Sequence, residues 1–187
     1  MQVVLVVAAL LGLGWLVSTG GNGSGRPTSG GAGGGALRER VESTSSQTDA
    51  FASEVQMAAS SAGVPADILL SVVQQESSGD PDARGPGGEV GLMQLKQIAV
   101  DDVAENTPLP RVDVSTLDAR APQENLKYGA EFLKLQRQRV ASADGMDGWF
   151  DALRSYNCGF GGARQSPSCG SRYASEVLGR TPRGVTA

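Results

Sequence analysis

Glu76 closes a run of residues, Pro65-Ala66-Asp67-Ile68-Leu69-Leu70-Ser71-Val72-Val73-Gln74-Gln75-Glu76-Ser77, that reads as a helix. Pro65 suits a first helical position, and Asp67 favours the positive end of the helix dipole. Ile68, Leu69, Val72 and Val73 recur at helical spacing. Extending that stripe by three and four residues reaches Glu76. A carboxylate there is partly desolvated and lies near the negative end of the dipole, and both effects raise its pKa. A carboxyl still protonated near neutral pH can serve as a general acid. The competing reading is a glutamate at a frayed helix end that points to water.

The residues after Glu76 give it a setting. From Gly79 to Gly91 the chain is dense in Gly, Pro and Asp, which reads as a tight irregular loop that lets backbone approach a ligand. A second helix is expected to start near Leu92. Asp80, Asp82 and Glu89 on the loop are of types that suit turns and hydration, so Glu76 is the one carboxylate placed for chemistry. With no histidine in the chain, Ser-His, Cys-His and His-metal sites are excluded within it. The sparse thiols and scattered carboxylates form no metal-site pattern, and no cofactor is expected.

Four ordered segments resemble the lytic transglycosylase domain, a relative of goose-type lysozyme. They are Glu76-Ser77 with Pro81, Ala83 and Gly91-Leu92-Met93-Gln94; Asn125-Leu126 through Gly129 to Phe132-Leu133; Ala152 through Tyr156-Asn157-Cys158-Gly159; and Tyr173 through Val177. Phe51 to Ala59 fits the helix that precedes the catalytic one. The resemblance covers about residues 51–178. It departs from the family pattern at Gly85, where the family has Ser, at Gln97, where it has Pro, and at Cys158, where it has Ala.

The resemblance implies a mainly α, lysozyme-like domain that cleaves peptidoglycan glycan strands. Glu76 would protonate the glycosidic oxygen between N-acetylmuramic acid and N-acetylglucosamine. It would then deprotonate the muramyl C6 hydroxyl, giving a 1,6-anhydro product. Ser77 would polarise the substrate or orient Glu76. Met93 and Gln94 would line the sugar groove, and Asn157 would bind an acetamido group. Tyr156 and Tyr173 would position Glu76 and the reacting sugar. For each of these the alternative is ordinary packing. Glycoside cleavage usually employs two carboxylates, so a second one over the opposite sugar face would point to a hydrolytic muramidase. A non-catalytic wall-binding or assembly module is the third reading, and an intact Glu76 argues against it.

The rest of the chain must position these groups. Helices are expected over residues 48–62, 65–77, 92–105, 122–140, 145–156 and 172–178. In the longest, Leu126, Phe132, Leu133 and Leu135 face inward, while Lys134, Arg137 and Arg139 are solvated. Cys158 and Cys169 flank a Gly-rich stretch. That arrangement suits a disulfide clip outside the cytoplasm, the alternative being two buried free thiols.

The 187 residues divide into three parts. Residues 1–17 are almost wholly apolar and would make a helix about 25 Å long, slightly short of a bilayer core of ~30 Å. An uncleaved transmembrane anchor is favoured over a signal peptide, because there is no basic n-region and no Ala-x-Ala site. Residues 18–47 are a Gly/Ser-rich linker followed by a polar stalk. The first 18 of these have a typical reach of about 20–25 Å. Residues 48–187 form the catalytic domain, expected on the periplasmic or cell-wall side of a membrane, or on a virion membrane. Secretion, conjugation or virion-assembly partners suit this tethered format. A net charge of −4 argues against nucleic acid, which needs a basic footprint.

Overall fold

The computed structural model describes residue 48 and residues 50–181. The expected anchor at residues 1–17 and the linker up to residue 47 lie outside them. Among the described residues seven α-helices follow one another: α1 (Ala52–Ala62), α2 (Ala66–Ser77), α3 (Gln97–Asn106), α4 (Pro122–Ala141), α5 (Gly148–Cys158), α6 (Phe160–Gln165) and α7 (Ser171–Leu178). A 3-10 turn, Val114–Thr116, lies between α3 and α4. Among the described residues the only β pairing is two isolated antiparallel bridges, Arg84 with Val90 and Val90 with Leu95. Also among them, no helix is long and apolar enough to cross a membrane.

The 20-residue α4 is the hub, packing against α1, α3, α5 and α6. Its buried face carries Leu126, Tyr128, Ala130, Leu133 and Val140. The apolar stripe of α2 is wholly buried, with Ile68, Leu69, Val72 and Val73 in one core with α1, α4 and α7. Each such side chain contributes about 1.5–3 kcal/mol before ordering entropy is charged against it. Pro65 falls one position outside α2, as its cap, and Asp67 sits in the first turn.

The helix expected from Leu92 begins instead at Gln97. Leu92, Met93 and Leu95 are buried in the loop itself, and Val90 and Leu95 exchange two backbone hydrogen bonds of 3.0 Å. Asn125 of α4, itself fully buried, fixes this conformation. Its Oδ1 accepts from Met93 N–H at 2.9 Å, while its Nδ2 donates to Val90 O at 2.9 Å and to Leu117 O at 2.8 Å. The two long-range bonds, to Met93 N–H and Val90 O, outweigh the modest intrinsic preference of these residues for helix. Gly91 is required beside them: its φ is +75°, and a Cβ there would lie 2.4 Å from Asn125 Nδ2.

Two further differences concern the long helix and the cysteine loop. Arg137 and Arg139 are not simply solvated, because helical spacing turns each toward a neighbour. Arg139 grips Asp102 of α3 with two bonds of 2.6 Å, and Arg137 lies over the Trp149 ring at 6.0 Å. The Gly-rich stretch after Cys158 is not all loop, since α6 forms within it. The guanidinium of Arg154 stands in for loop structure there, donating to Cys169 O at 3.0 Å and to Ala163 O and Ser166 O at 2.6 Å.

Candidate active site

The end of α2 is stopped by a left-handed Ser78, φ 57°, whose N–H donates to Gln74 O. Only one other described residue that is not glycine has a positive φ, Gln94 at 45°. These two positions bracket the loop that follows Glu76. Non-glycine residues held in this region cost about 1 kcal/mol or more and concentrate at functional sites.

Ser77 joins helix to loop. Its hydroxyl lies 2.9 Å from Leu92 O and 3.2 Å from Val73 O, and it accepts from Gly79 N–H at 3.1 Å. The hydroxyl is thus committed to backbone. Gln94 acts similarly: its Nε2 donates to Ala83 O at 3.0 Å and to Gly91 O at 2.9 Å. Its Oε1 makes no side-chain hydrogen bond among the described residues, so this acceptor faces no internal partner.

Glu76 is half-buried. Its Oε1 accepts a 2.6 Å hydrogen bond from the hydroxyl of Tyr173 on α7. Burial of the carboxyl pushes its pKa up to about 7, the Tyr173 bond to the ionised form pulls it down, and the nearby charge of Glu89 adds to the rise. The two tyrosines behind it stay protonated. Burial and the neighbouring Glu76 push both phenols well above their usual range. Tyr156 donates to Met93 O at 2.7 Å, stacks on Tyr173 with ring centroids 6.4 Å apart, and touches Phe132 of α4 at 5.4 Å. This aromatic row carries α4, α5 and α7 up to the carboxyl and excludes water from its rear.

Met93 does not line the groove. Its side chain is 0% exposed and packs against Gly129 of α4, because the turn directs it into the core. Only its backbone reaches the site, through Tyr156. Asn157, at the end of α5, is half-buried and its amide has no hydrogen-bond partner among the described residues, so it is available to a ligand. Cys158 and Cys169 are bonded to each other, with Cα atoms 6.2 Å apart, and clamp the segment immediately after it.

Sequence reasoning missed the burial of Glu89. Glu89 is 6% exposed. It forms a 2.8 Å ion pair with Lys96 and accepts from Gly87 N–H at 2.8 Å. Burial raises its pKa, but Lys96 and the backbone N–H groups outweigh that and leave it below the usual carboxylate range. Its side chain fills the space over Gly85, where a Cβ would lie 2.2 Å from Glu89 Oε2. The Gly85 departure and Glu89 therefore belong together, and glycine flanking a lone glutamate was the signal available. Asp80 and Asp82 are exposed turn residues, with Asp80 Oδ1 accepting from Asp82 N–H at 2.9 Å. Among the described residues no acidic or sulfur side chains converge to hold a metal ion.

Chemically, the arrangement offers one carboxyl able to give and take a proton near neutral pH. The Tyr173 hydroxyl holds it, and the half-buried Asn157 amide at the end of α5 is left without an internal partner. The family model for the transglycosylase SLT domain matches residues 53–173. Membrane-bound lytic murein transglycosylase F 2 of Alkalilimnicola ehrlichii is 29% identical over 148 residues, covering 79% of this chain and 29% of that relative. Membrane-bound lytic murein transglycosylase F of Aeromonas hydrophila is 29% identical over 117 residues, covering 62% of this chain and 20% of the relative. The chain thus spans less than a third of the curated relatives it matches. Two solved structures share the fold. An inactive mutant of lytic transglycosylase Slt of Pseudomonas aeruginosa has a TM-score of 0.52 and 22% identity, over 67% of this chain and 20% of that one. The 70 kDa soluble lytic transglycosylase of Escherichia coli has a TM-score of 0.51 and 20% identity, over 69% and 19%. With the family match extending over well more than half of its residues, the chain belongs to the transglycosylase SLT domain family.

Proposed function

We propose that the protein is a peptidoglycan lytic transglycosylase that cleaves the β-1,4 bond between N-acetylmuramic acid and N-acetylglucosamine. The observation that carries this reading is Glu76: a half-buried carboxyl with a pKa of about 7, held by the Tyr173 hydroxyl. In its protonated form Glu76 gives its proton to the glycosidic oxygen as the C1–O bond breaks. The muramyl N-acetyl oxygen stabilises the positive charge developing at C1. Glu76, now a carboxylate, takes the proton of the C6 hydroxyl, and O6 closes onto C1. The 1,6-anhydro product forms without water, and Glu76 ends protonated as it began.

Tyr173 orients the acid, and Tyr156 holds the loop and Tyr173 in place. Asn157 binds an acetamido group, and Gln94 presents its free acceptor to the groove. Ser77 acts through the loop it anchors. No cofactor enters the scheme. The apolar residues 1–17 would tether this domain to a membrane, with the linker allowing it to range over nearby wall. A secretion machine, a conjugation system or a virion crossing the envelope would each use such local opening.

Glu89 favours a second reading, a hydrolytic muramidase in which a second carboxylate orients an attacking water. Its pairing with Lys96 and its near-complete burial make it a poorer base than Glu76. The 187-residue chain should be incubated with purified peptidoglycan, its products weighed by mass spectrometry, with Glu76→Gln as control. Muropeptides one water lighter than hydrolysis products, absent with Glu76→Gln, support the transglycosylase. Hydrated reducing ends establish the muramidase, and no release establishes a binding module.

A further inference from the structure

Glu89 and Lys96 flank a tight turn. Val90 and Leu95, the residues just inside them, exchange two backbone hydrogen bonds of 3.0 Å, and the two charged side chains close the turn with an ion pair of 2.8 Å. The turn is joined to the site at its tip. The hydroxyl of Ser77, the residue after Glu76, lies 2.9 Å from Leu92 O, and Tyr156 donates to Met93 O at 2.7 Å.

Local structure explains neither charged residue. Lys96 is the N-cap of α3 and makes no capping bond there, and a cation at the positive end of a helix dipole is unfavourable. Glu89 is 6% exposed, and two glycines make room for it. A Cβ on Gly85 would lie 2.2 Å from its Oε2, and one on Gly87 would lie 2.7 Å from its Oε1. A buried ion pair adds little stability over an apolar pair of similar volume, so stability alone does not account for a loop shaped around this one.

The other charged groups near Glu76 are otherwise engaged. On α7, Arg172 and Glu176 pair with each other, and Arg180 beyond them bonds Gln75. On α1, Glu54 accepts from Ser53. On the loop, Arg84 pairs with Asp118 at 2.8 Å, and Asp80 and Asp82 are exposed. The phenols of Tyr156 and Tyr173 stay protonated. Glu89 is left as the charge that acts on Glu76.

We propose that the Glu89–Lys96 pair is a positioning element of this site: it locks the turn that Ser77 and Tyr156 hold, and it keeps a fixed negative charge near Glu76 that Lys96 tempers. The inference rests on Glu76 being the proton-transferring group of the proposed reaction.

The test reads Glu76 directly, without substrate. In the 187-residue chain carrying isotope-labelled glutamate, the carboxyl resonance that Glu76→Gln removes is followed by NMR as pH is raised. Glu89→Gln deletes the negative charge and leaves the cation, so the Glu76 midpoint should fall by about half a pH unit or more. Lys96→Met leaves the carboxylate uncompensated, and the midpoint should rise. Glu89→Gln combined with Lys96→Met buries no unpaired charge, so it remains informative if a single variant fails to fold. Its midpoint should lie between those of the unsubstituted chain and Glu89→Gln. A role confined to bracing the turn would move both single variants the same way or neither. That result, or a double variant with an unchanged midpoint, would overturn the proposal. Opposed shifts in a protein that releases nothing from peptidoglycan would overturn the proposed reaction and leave the action of the pair on Glu76 standing.

Discussion

Replacing Glu76 by Gln should stabilise the protein, and more so as pH rises. A carboxyl whose folded pKa is about 7 against an ordinary 4.5 binds its proton more tightly in the folded state than in the unfolded one. Between those two values the folded chain holds more protons, so stability falls as pH rises. The folded state is unpenalised below about 4.5 and bears the full cost above about 7. At about 1.4 kcal/mol per pH unit the gap between those two values corresponds to a cost of about 3.5 kcal/mol. Solvent reaching the half-buried side chain screens part of it, so about 1–3 kcal/mol is expected. Glutamine has no charge to desolvate and keeps an acceptor for Tyr173. The assay is urea unfolding of both proteins at pH 5 and pH 8. The advantage of Glu76→Gln should be about 1–3 kcal/mol larger at pH 8. The absence of histidine keeps this pH window nearly free of other titrating side chains. An advantage that is the same at both pH values, or larger at pH 5, would refute the argument that desolvation dominates at Glu76.

Three other outcomes follow from the same geometry. Tyr173→Phe removes a hydrogen bond that favours the ionised form of Glu76, so the alkaline limb of the pH–rate profile should move up by about one unit. A downward move would contradict the assignment. Asn125→Ala leaves Met93 N–H and Leu117 O buried without the partners it supplies, while Val90 O keeps its bond from Leu95 N–H, and should cost about 2 kcal/mol or more in chemical denaturation. A loss under 1 kcal/mol would mean that the loop does not depend on this side chain. Cys158→Ala with Cys169→Ala opens a loop whose ends are 11 residues apart, and should cost about 2–3 kcal/mol by loop entropy. Arg154 still braces that segment, so melting should remain a single cooperative transition.

The local pattern of the chain determined more of the fold than of the site. Four apolar residues at helical spacing placed α2, and continuing their stripe brought Glu76 to its half-buried position. That worked because which side of a helix is buried repeats every 3.6 residues, and a sequence displays the repeat directly. The long α4 and the order of the family segments were legible for the same reason. The start of α3 was not. Leu92 and Met93 look like the first turn of a helix, and only Asn125, more than thirty residues later, makes a buried loop the better solution.

Through-space relations were equally hidden. Tyr173 lies 97 residues from Glu76, and no spacing rule connects them. Glu89 looked like a hydrated turn residue until Lys96 and Gly87 were seen to enclose it. Met93, in a matching segment of the family, turned out to serve the core. Gln136 sits among charged residues of α4, and nothing in its neighbours marks it as buried with an unpartnered Oε1. Hydrophobic periodicity is a property of one segment, so sequence alone determined the helices and the candidate acid. A pKa, an ion pair or an unmet hydrogen bond belongs to groups brought together from several segments, and only the tertiary structure decided those.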